Sequence, residues 1–511
     1  MPDLIVKITS SAIIGIDSYP VDVEVDVSRG LPQFFTVGLP DASVRESKDR
    51  IKSAIRNSGY SFPGNRVTIN LAPAAIKKEG TGFDLPIAVG ILSAQGIIRK
   101  ECLSGYMFAG ELSLDGSVKG IHGALPAAIQ AANMGLRGIV LPRENAGEAA
   151  IVGKIAVIAV DYLHEVVEFL NGTKELYPTE ADISNLFSRN LHYPFDFSEV
   201  NGQNQAKRAM EVAAGGGHNI IMIGPPGSGK TMLALRLLTI LPDLSLEEAI
   251  ETTKIHSVAG LLTKEESLLA VRPFRAPHHS ISDAGLVGGG HIPRPGEISL
   301  ANNGVLFLDE LPEFKRNVLE VLRQPLESGH ITISRASASA TYPARFMLVA
   351  AMNPCPCGFF TDTKRQCTCT PRQIRQYRSR ISGPLLDRID IHLEVPSIGY
   401  NDLSRESGGE LSEVIKKRVN KARDIQHDRF KSGTLCNSGM SNRQIKKYCV
   451  LNEDSKKLIE MAVDMLGLSA RAYTKILKVA RTIADLEGEE TIRPPHISEA
   501  IQYRALDREA I

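Results

Sequence analysis

The chain has 511 residues, 43% hydrophobic and 23% charged, with 59 Lys plus Arg against 58 Asp plus Glu. At roughly 150 residues per domain this is enough for about three domains with sizeable cores, and the composition excludes global disorder and a small disulfide-stapled scaffold. A net charge of +1 leaves any nucleic-acid binding to local patches. No apolar run reaches the roughly 20 residues that cross a bilayer. The opening MPDLIVKITSSAIIGID lacks a basic stretch followed by a long apolar one, so a cytoplasmic protein without membrane contact is expected.

In chain order, residues 1–171 predict an α/β domain. Val21–Val27 alternates with period two and Arg66–Leu71 is a second strand, with helices over Ser43–Asn57 and Ala124–Met134. Gly138–Pro142 and Ile155–Val160 predict buried strands. Residues 172–198, polar around Tyr177-Pro178 and Tyr193-Pro194, have no long periodic pattern and predict a linker. A second α/β unit is expected over 199–400. Over 401–511 apolar spacings of three and four predict a helical domain, with helices at Glu410–Lys431, Glu453–Met465, Ala470–Leu486 and Pro494–Arg504.

The apolar strand Asn219–Ile223 runs into Gly224-Pro225-Pro226-Gly227-Ser228-Gly229-Lys230-Thr231 and then a helix-forming stretch. Glycines let backbone N–H groups turn around a phosphate, the helix N-terminus adds its dipole, Lys230 reaches the β/γ oxygens of ATP, and Thr231 offers a hydroxyl to Mg²⁺. Such a P-loop needs a carboxylate on a nearby strand, which Gly304–Leu308 followed by Asp309-Glu310 supplies. Asp309 is expected to orient Mg²⁺ and Glu310 to act as general base. A third apolar strand, Arg345–Met352, ends in Asn353, a candidate for holding the lytic water, though asparagine after a strand is also a common turn residue. Arg388, in Leu385-Leu386-Asp387-Arg388, stands where a ring subunit can offer an arginine to its neighbour's phosphate, an effect of roughly 10³ to 10⁵ in rate where such fingers act. An ion pair within the chain is the alternative.

These segments, with Phe274-Arg275-Ala276-Pro277-His278-His279, resemble the AAA+ ATPases and, within them, the magnesium-chelatase-like branch. Together with the N-terminal domain and Ser469-Ala470-Arg471-Ala472-Tyr473, the chain most resembles the ComM/YifB family over nearly its whole length. The resemblance implies a homo-hexameric, ATP-driven DNA helicase that promotes branch migration in recombination and natural transformation, working on single-stranded, forked or branched DNA alongside recombination proteins. It implies a sensor role for Arg471. Residues 272–297, with Arg275, His278, His279, Gly288-Gly289-Gly290, His291 and Arg294, resemble the insert of this branch and are expected to contact nucleic acid or a neighbouring subunit. Ile331–Phe346 reads as a hairpin of the type that lines the central pore in related motors, which makes Arg335 a candidate phosphate contact, with a solvated edge-strand charge as the alternative. The first domain resembles the Lon-protease fold, yet Gly82 stands at the serine position and Ala124 at the lysine position, so peptide hydrolysis has no nucleophile. The alternatives are the ATPase motor subunit of a metal chelatase and a nucleotide-gated scaffold.

Two local features remain. Of seven cysteines, Cys355, Cys357, Cys367 and Cys369 crowd one hairpin. Four thiolates can give a tetrahedral Zn²⁺ site, although the Cys-x-Cys spacing is tighter than usual; uncommitted thiols and a redox pair are the other readings. Lys364–Arg388 carries seven basic residues and one acid. Arg372, Arg375 and Arg378, spaced by three, predict a helical stripe toward a phosphate backbone, or else a solvated charged face.

Overall fold

The computed structural model describes residues 5–504 except 76, 79, 190–192, 264–265, 291–292, 335–338, 361, 363–364, 398–408 and 433–434. Arg335, His291 and Lys364 therefore lie outside the described residues. Among the described residues no helix is long and apolar enough to cross a membrane. The fold is mixed α/β, as expected, but the chain divides into two compact units rather than three domains.

The first unit gathers Met1–Leu191, Ser245–Ala270 and Ser334–Tyr342. Its strands are β1 (Ile5–Ile14), β2 (Asp17–Ser28), β3 (Phe34–Val37), β4 (Arg66–Ala72), β5 (Tyr106–Phe108), the short pair β6 (Glu111–Leu112) and β7 (Val118–Lys119), β8 (Gly138–Pro142) and β9 (Ala156–Val160). Seven of them form one sheet in the order β3-β4-β2-β1-β5-β8-β9. β1 and β2 pair antiparallel with Val6 opposite Val25 and Ile8 opposite Val23. Alternate residues Val6, Ile8, Val21, Val23 and Val25 point into the core, which is why a period-two pattern was legible there. The helix Ala42–Asn57 buries Val44, Ser47, Ile51, Ala54 and Ile55 at spacings of three, four and one, and Asp41 caps it by accepting from the Val44 N–H at 2.9 Å. Between β4 and β5 the helix Asp84–Ala94 is buried along almost its whole length. It carries no amphipathic signal to read.

The reassignment of Ser245–Ala270 has a local cause. Ser245 and Glu248 form a capping box that starts the helix Leu246–Ala259. That helix accepts a hydrogen bond from Gly123 N at Ser257 O (3.2 Å), and Lys254 Nζ lies 2.6 Å from Asp17 Oδ1. The expected linker also carries a helix, Ile183–Arg189.

The second unit comprises His192–Leu244, Val271–Ile333 and Pro343–Ile511. Its strands are β10 (Ile220–Ile223), β11 (Phe274–Arg275), β12 (Gly288–Gly289), β13 (Arg294–Pro295), β14 (Val305–Leu308), β15 (His330–Ser334), β17 (Met347–Met352) and β18 (Ile391–Glu394), whereas β16 (Ser339–Pro343) falls almost wholly in the first unit. The central sheet runs β11-β14-β17-β10-β18, every pair parallel. β10, β14 and β17 are wholly buried, as parallel strands covered on both faces are. The C-terminal helices Ser412–Phe430, Asn442–Tyr448, Glu453–Leu466, Ala470–Glu487 and Pro494–Gln502 do not stand apart as expected. Ile415, Val419, Ile476, Ala480 and Ile497 share one apolar cluster with Met210, Ile220, Leu233 and Val349. In the Gly288-Gly289-Gly290 stretch, Gly288 and Gly289 pair with Pro295 and Arg294.

Candidate nucleotide site

Parallel strands deliver their following loops to one edge of a sheet, and ligands of open α/β sheets bind there. β10 leads into the P-loop, β17 beside it into Asn353, and β14 beyond that into Asp309 and Glu310. Register fixes their levels: Ile223 lies opposite Met352, and Leu308 opposite Ala350. Gly227 and Gly229 hold φ of 77° and 85°, the left-handed region in which glycine carries no Cβ cost. At Gly224 a Cβ would stand 2.1 Å from Val395 O, so only glycine allows that approach. From Lys230 the helix Lys230–Ile240 begins.

The predicted side chains converge. Lys230 Nζ donates to Gly224 O (2.7 Å) and Pro225 O (2.9 Å) and lies 3.4 Å from Asn353 Oδ1. Burial pulls its pKa below that of an ordinary lysine, with Asp309 opposing the shift. Thr231 Oγ1 donates to Asp309 Oδ2 at 2.9 Å, which sets a hydroxyl and a carboxylate oxygen side by side, the hard donor pair that Mg²⁺ favours. The residues therefore fit ATP with Mg²⁺.

Two contributors escaped the sequence. Gln203, itself at φ 47°, donates from Nε2 to Ser228 O at 2.8 Å and ties the P-loop to the segment before the helix Asn204–Gly216. His279 Nδ1 lies 3.3 Å from Glu310 Oε2, and its ring centroid lies 4.0 Å from that of His278, the two rings tilted by 35°. The histidine pair, expected to contact nucleic acid or a neighbour, thus includes a partner of the candidate general base. The neighbouring Arg275 grips Glu297 through two bonds of 2.6 and 2.7 Å, a pairing that a phosphate contact would have to exchange.

Arg388 and Arg471 sit elsewhere. Arg388 donates to Pro384 O at 2.5 Å and pairs with Glu327 within the chain. Arg471 is largely exposed, 3.5 Å from Asp387 Oδ2. The stripe divides: Arg372 and Arg375 are exposed on the helix Pro371–Arg378, while Arg378 turns inward, donating to Pro354 O at 3.1 Å and lying 5.4 Å over the Phe360 ring. Arg378 is therefore a brace of the cysteine loop rather than part of an exposed basic face. The four cysteines come together, with Sγ atoms all within 4.8 Å of one another. In the first unit, a Cβ on Gly82 would contact Ile121 at 3.6 Å, and Ala124 is fully buried. Position 82 therefore adjoins the stretch that leads into Ala124, without a nucleophile or an amine at either place.

Comparison with known proteins agrees with this layout. Family models described as magnesium chelatase, subunit ChlI, match residues 196–403 and 23–145, and a third, for the C-terminal part of that subunit, matches 409–504. The chain is 47% identical to the competence protein ComM of Haemophilus influenzae over 98% of this chain and 97% of that one. It is likewise 47% identical to the YifB protein of Salmonella typhimurium, over 97% and 96%. It is 25% identical to the magnesium-chelatase 38 kDa subunit of Cereibacter sphaeroides, over 60% of this chain and 89% of that one.

Proposed function

The chain belongs to the ComM/YifB family of magnesium-chelatase-like proteins, and from that membership we propose that it is an AAA+ ATPase working as a hexameric DNA helicase in branch migration during recombination and natural transformation. The observation that carries the ATPase reading is the convergence of Lys230, Thr231, Asp309 and Asn353 at one edge of the parallel sheet. The P-loop amides and Lys230 bind the phosphates, while Thr231 and Asp309 hold Mg²⁺. The metal, when bound, neutralises charge on the phosphate oxygens. Glu310 takes the proton of the attacking water at a carboxylate oxygen, and His279, 3.3 Å away, positions that carboxylate. Asn353 orients the water. Arg388 from a neighbouring subunit and Arg471 stabilise the transferring phosphoryl group. Arg372 and Arg375, exposed on one helix, are the DNA contacts that the geometry leaves free to act. Arg335 remains a proposed pore contact on sequence grounds alone. The cofactors are ATP and Mg²⁺, with Zn²⁺ on the four cysteines, and the compartment is the cytoplasm.

The motor subunit of a chelatase is the second reading, supported by the Cereibacter sphaeroides similarity. The helicase reading is supported by 47% identity to the competence protein ComM over nearly full length. ATP turnover by the purified protein is the deciding measurement. Stimulation by forked or four-way DNA, together with strand displacement, is expected. Turnover indifferent to every DNA form would remove the helicase reading, and absence of any turnover would leave a nucleotide-gated scaffold.

A further inference from the structure

We propose that Cys355, Cys357, Cys367 and Cys369 hold one Zn²⁺ ion, and that the metal-bound knuckle forms a wall of the nucleotide site, so that ATP binding depends on the metal; the second half rests on the nucleotide reading of the P-loop. The sulfur geometry carries the first half. A regular tetrahedron of thiolates about 2.3 Å from Zn²⁺ has edges of about 3.8 Å. Cys355 Sγ lies 3.7 Å from Cys367 Sγ, Cys357 Sγ 3.6 Å from Cys367 Sγ, and Cys355 Sγ 3.3 Å from Cys357 Sγ. Each is far beyond the roughly 2.05 Å of a disulfide. Four sulfurs with no oxygen or nitrogen ligand among them suit Zn²⁺. On binding, four S–Zn bonds form and the thiol protons leave to solvent.

The surroundings suit a cluster of net charge −2. Backbone N–H groups point at sulfur: Phe360 to Cys355 (3.3 Å), Cys357 to Cys369 (3.4 Å) and Cys369 to Cys367 (3.4 Å). Such outer contacts orient thiolate ligands and disperse their charge. The half-buried Arg378 guanidinium is anchored on Pro354 O at 3.1 Å and lies within electrostatic reach of Cys355.

The second half follows from where the knuckle attaches. It begins directly after β17, and three contacts tie that region to the P-loop. Met352 O accepts from Gly224 N at 3.2 Å. Asn353 Oδ1 stands 3.4 Å from Lys230 Nζ. Gly358, at φ 87°, packs so closely that a Cβ there would lie 2.7 Å from Pro226 Cδ. Beyond the Arg378 contacts with Pro354 O and Phe360, four metal bonds fix the loop and make Gly358 a firm support for Pro226. Losing the metal frees the loop and with it the position of Asn353 and the P-loop.

The experiment uses the full chain, purified without chelator, with elemental analysis and binding of a fluorescent ATP analogue read in parallel. About one zinc per chain is expected. Less than about 0.2 zinc per chain, iron in its place, or disulfides among the four cysteines by mass spectrometry overturns the site. Release of the metal by an organomercurial should weaken nucleotide binding about tenfold, with recovery on adding thiol and Zn²⁺. Unchanged affinity in metal-free protein overturns the coupling. Because cysteine substitutions can unfold the loop, Gly358→Ala is the companion variant, keeping all four ligands while pressing a methyl group onto Pro226. It should retain its zinc and bind nucleotide more weakly; full affinity overturns the wall assignment. Protein that carries zinc yet binds no nucleotide fails the P-loop reading and the coupling with it, while the metal content still verifies the cysteine site.

Discussion

Lys230, Glu310 and His279 divide the nucleotide chemistry among three groups, and their substitutions should separate. Lys230→Ala removes the cation that faces the phosphates and should abolish nucleotide binding. Glu310→Gln should bind ATP normally and lose turnover by about 10² to 10⁴, the usual contribution of a general base. His279→Gln acts only through Glu310, so a smaller loss of turnover with unchanged nucleotide affinity is expected; steady-state kinetics beside nucleotide binding checks all three. A second residue, Asp390, is buried, and burial alone would push its carboxyl up. Lys475 and His218 overcome that and hold its pKa well below the carboxylate range, aided by Asn219 N at 3.0 Å. A depressed folded pKa gives stability that is present above the unfolded value and lost as pH falls through the acid range below it. Asp390→Asn should therefore cost about 3–5 kcal/mol at neutral pH by leaving Lys475 uncompensated, and the gap to wild type should narrow below about pH 4. Urea titrations at the two pH values measure it.

At the scale of elements, the helix Pro371–Arg378 shows why a charge run is a weak guide. Spacing by three was readable, but whether an arginine meets solvent or the protein was not. Arg378 lies one residue beyond the buried Tyr377 and reaches back to Pro354. Arg372→Glu with Arg375→Glu should weaken DNA binding and flatten its salt dependence while sparing basal ATP turnover. Arg378→Ala should instead loosen the cysteine loop, read as faster proteolysis there. The same contrast explains what was legible elsewhere. The P-loop and the strand before Asp309 are contiguous in sequence and carry their chemistry locally. The His279–Glu310 and Gln203–Ser228 contacts join distant segments, and no periodicity marks them. The helix Asp84–Ala94 was passed over because it is buried on all sides, and a helix without a polar face has no period to detect.

At the scale of the molecule, the ring proposed for this chain turns on Arg388, which within one chain is paired with Glu327. A finger acting between subunits must exchange that partner for a neighbour's phosphate. Arg388→Ala and Lys230→Ala proteins, each inactive alone, should recover part of their turnover when mixed, and no recovery would place Arg388 outside the neighbouring site. The first unit has a separate consequence. It is complete only when Ser245–Ala270 and Ser334–Tyr342 join Met1–Leu191. A ribosome delivers the last of these some 150 residues after the first stretch ends, roughly ten to thirty seconds later at ordinary synthesis rates. Through about the first half of that interval the newborn N-terminal sheet must wait with Gly123 and Asp17 lacking the helix they are built against. Vectorial synthesis thus makes the opening third of the polypeptide a natural client of chaperones, and expression of residues 1–191 alone should give an aggregating product that a fused 245–270 segment improves.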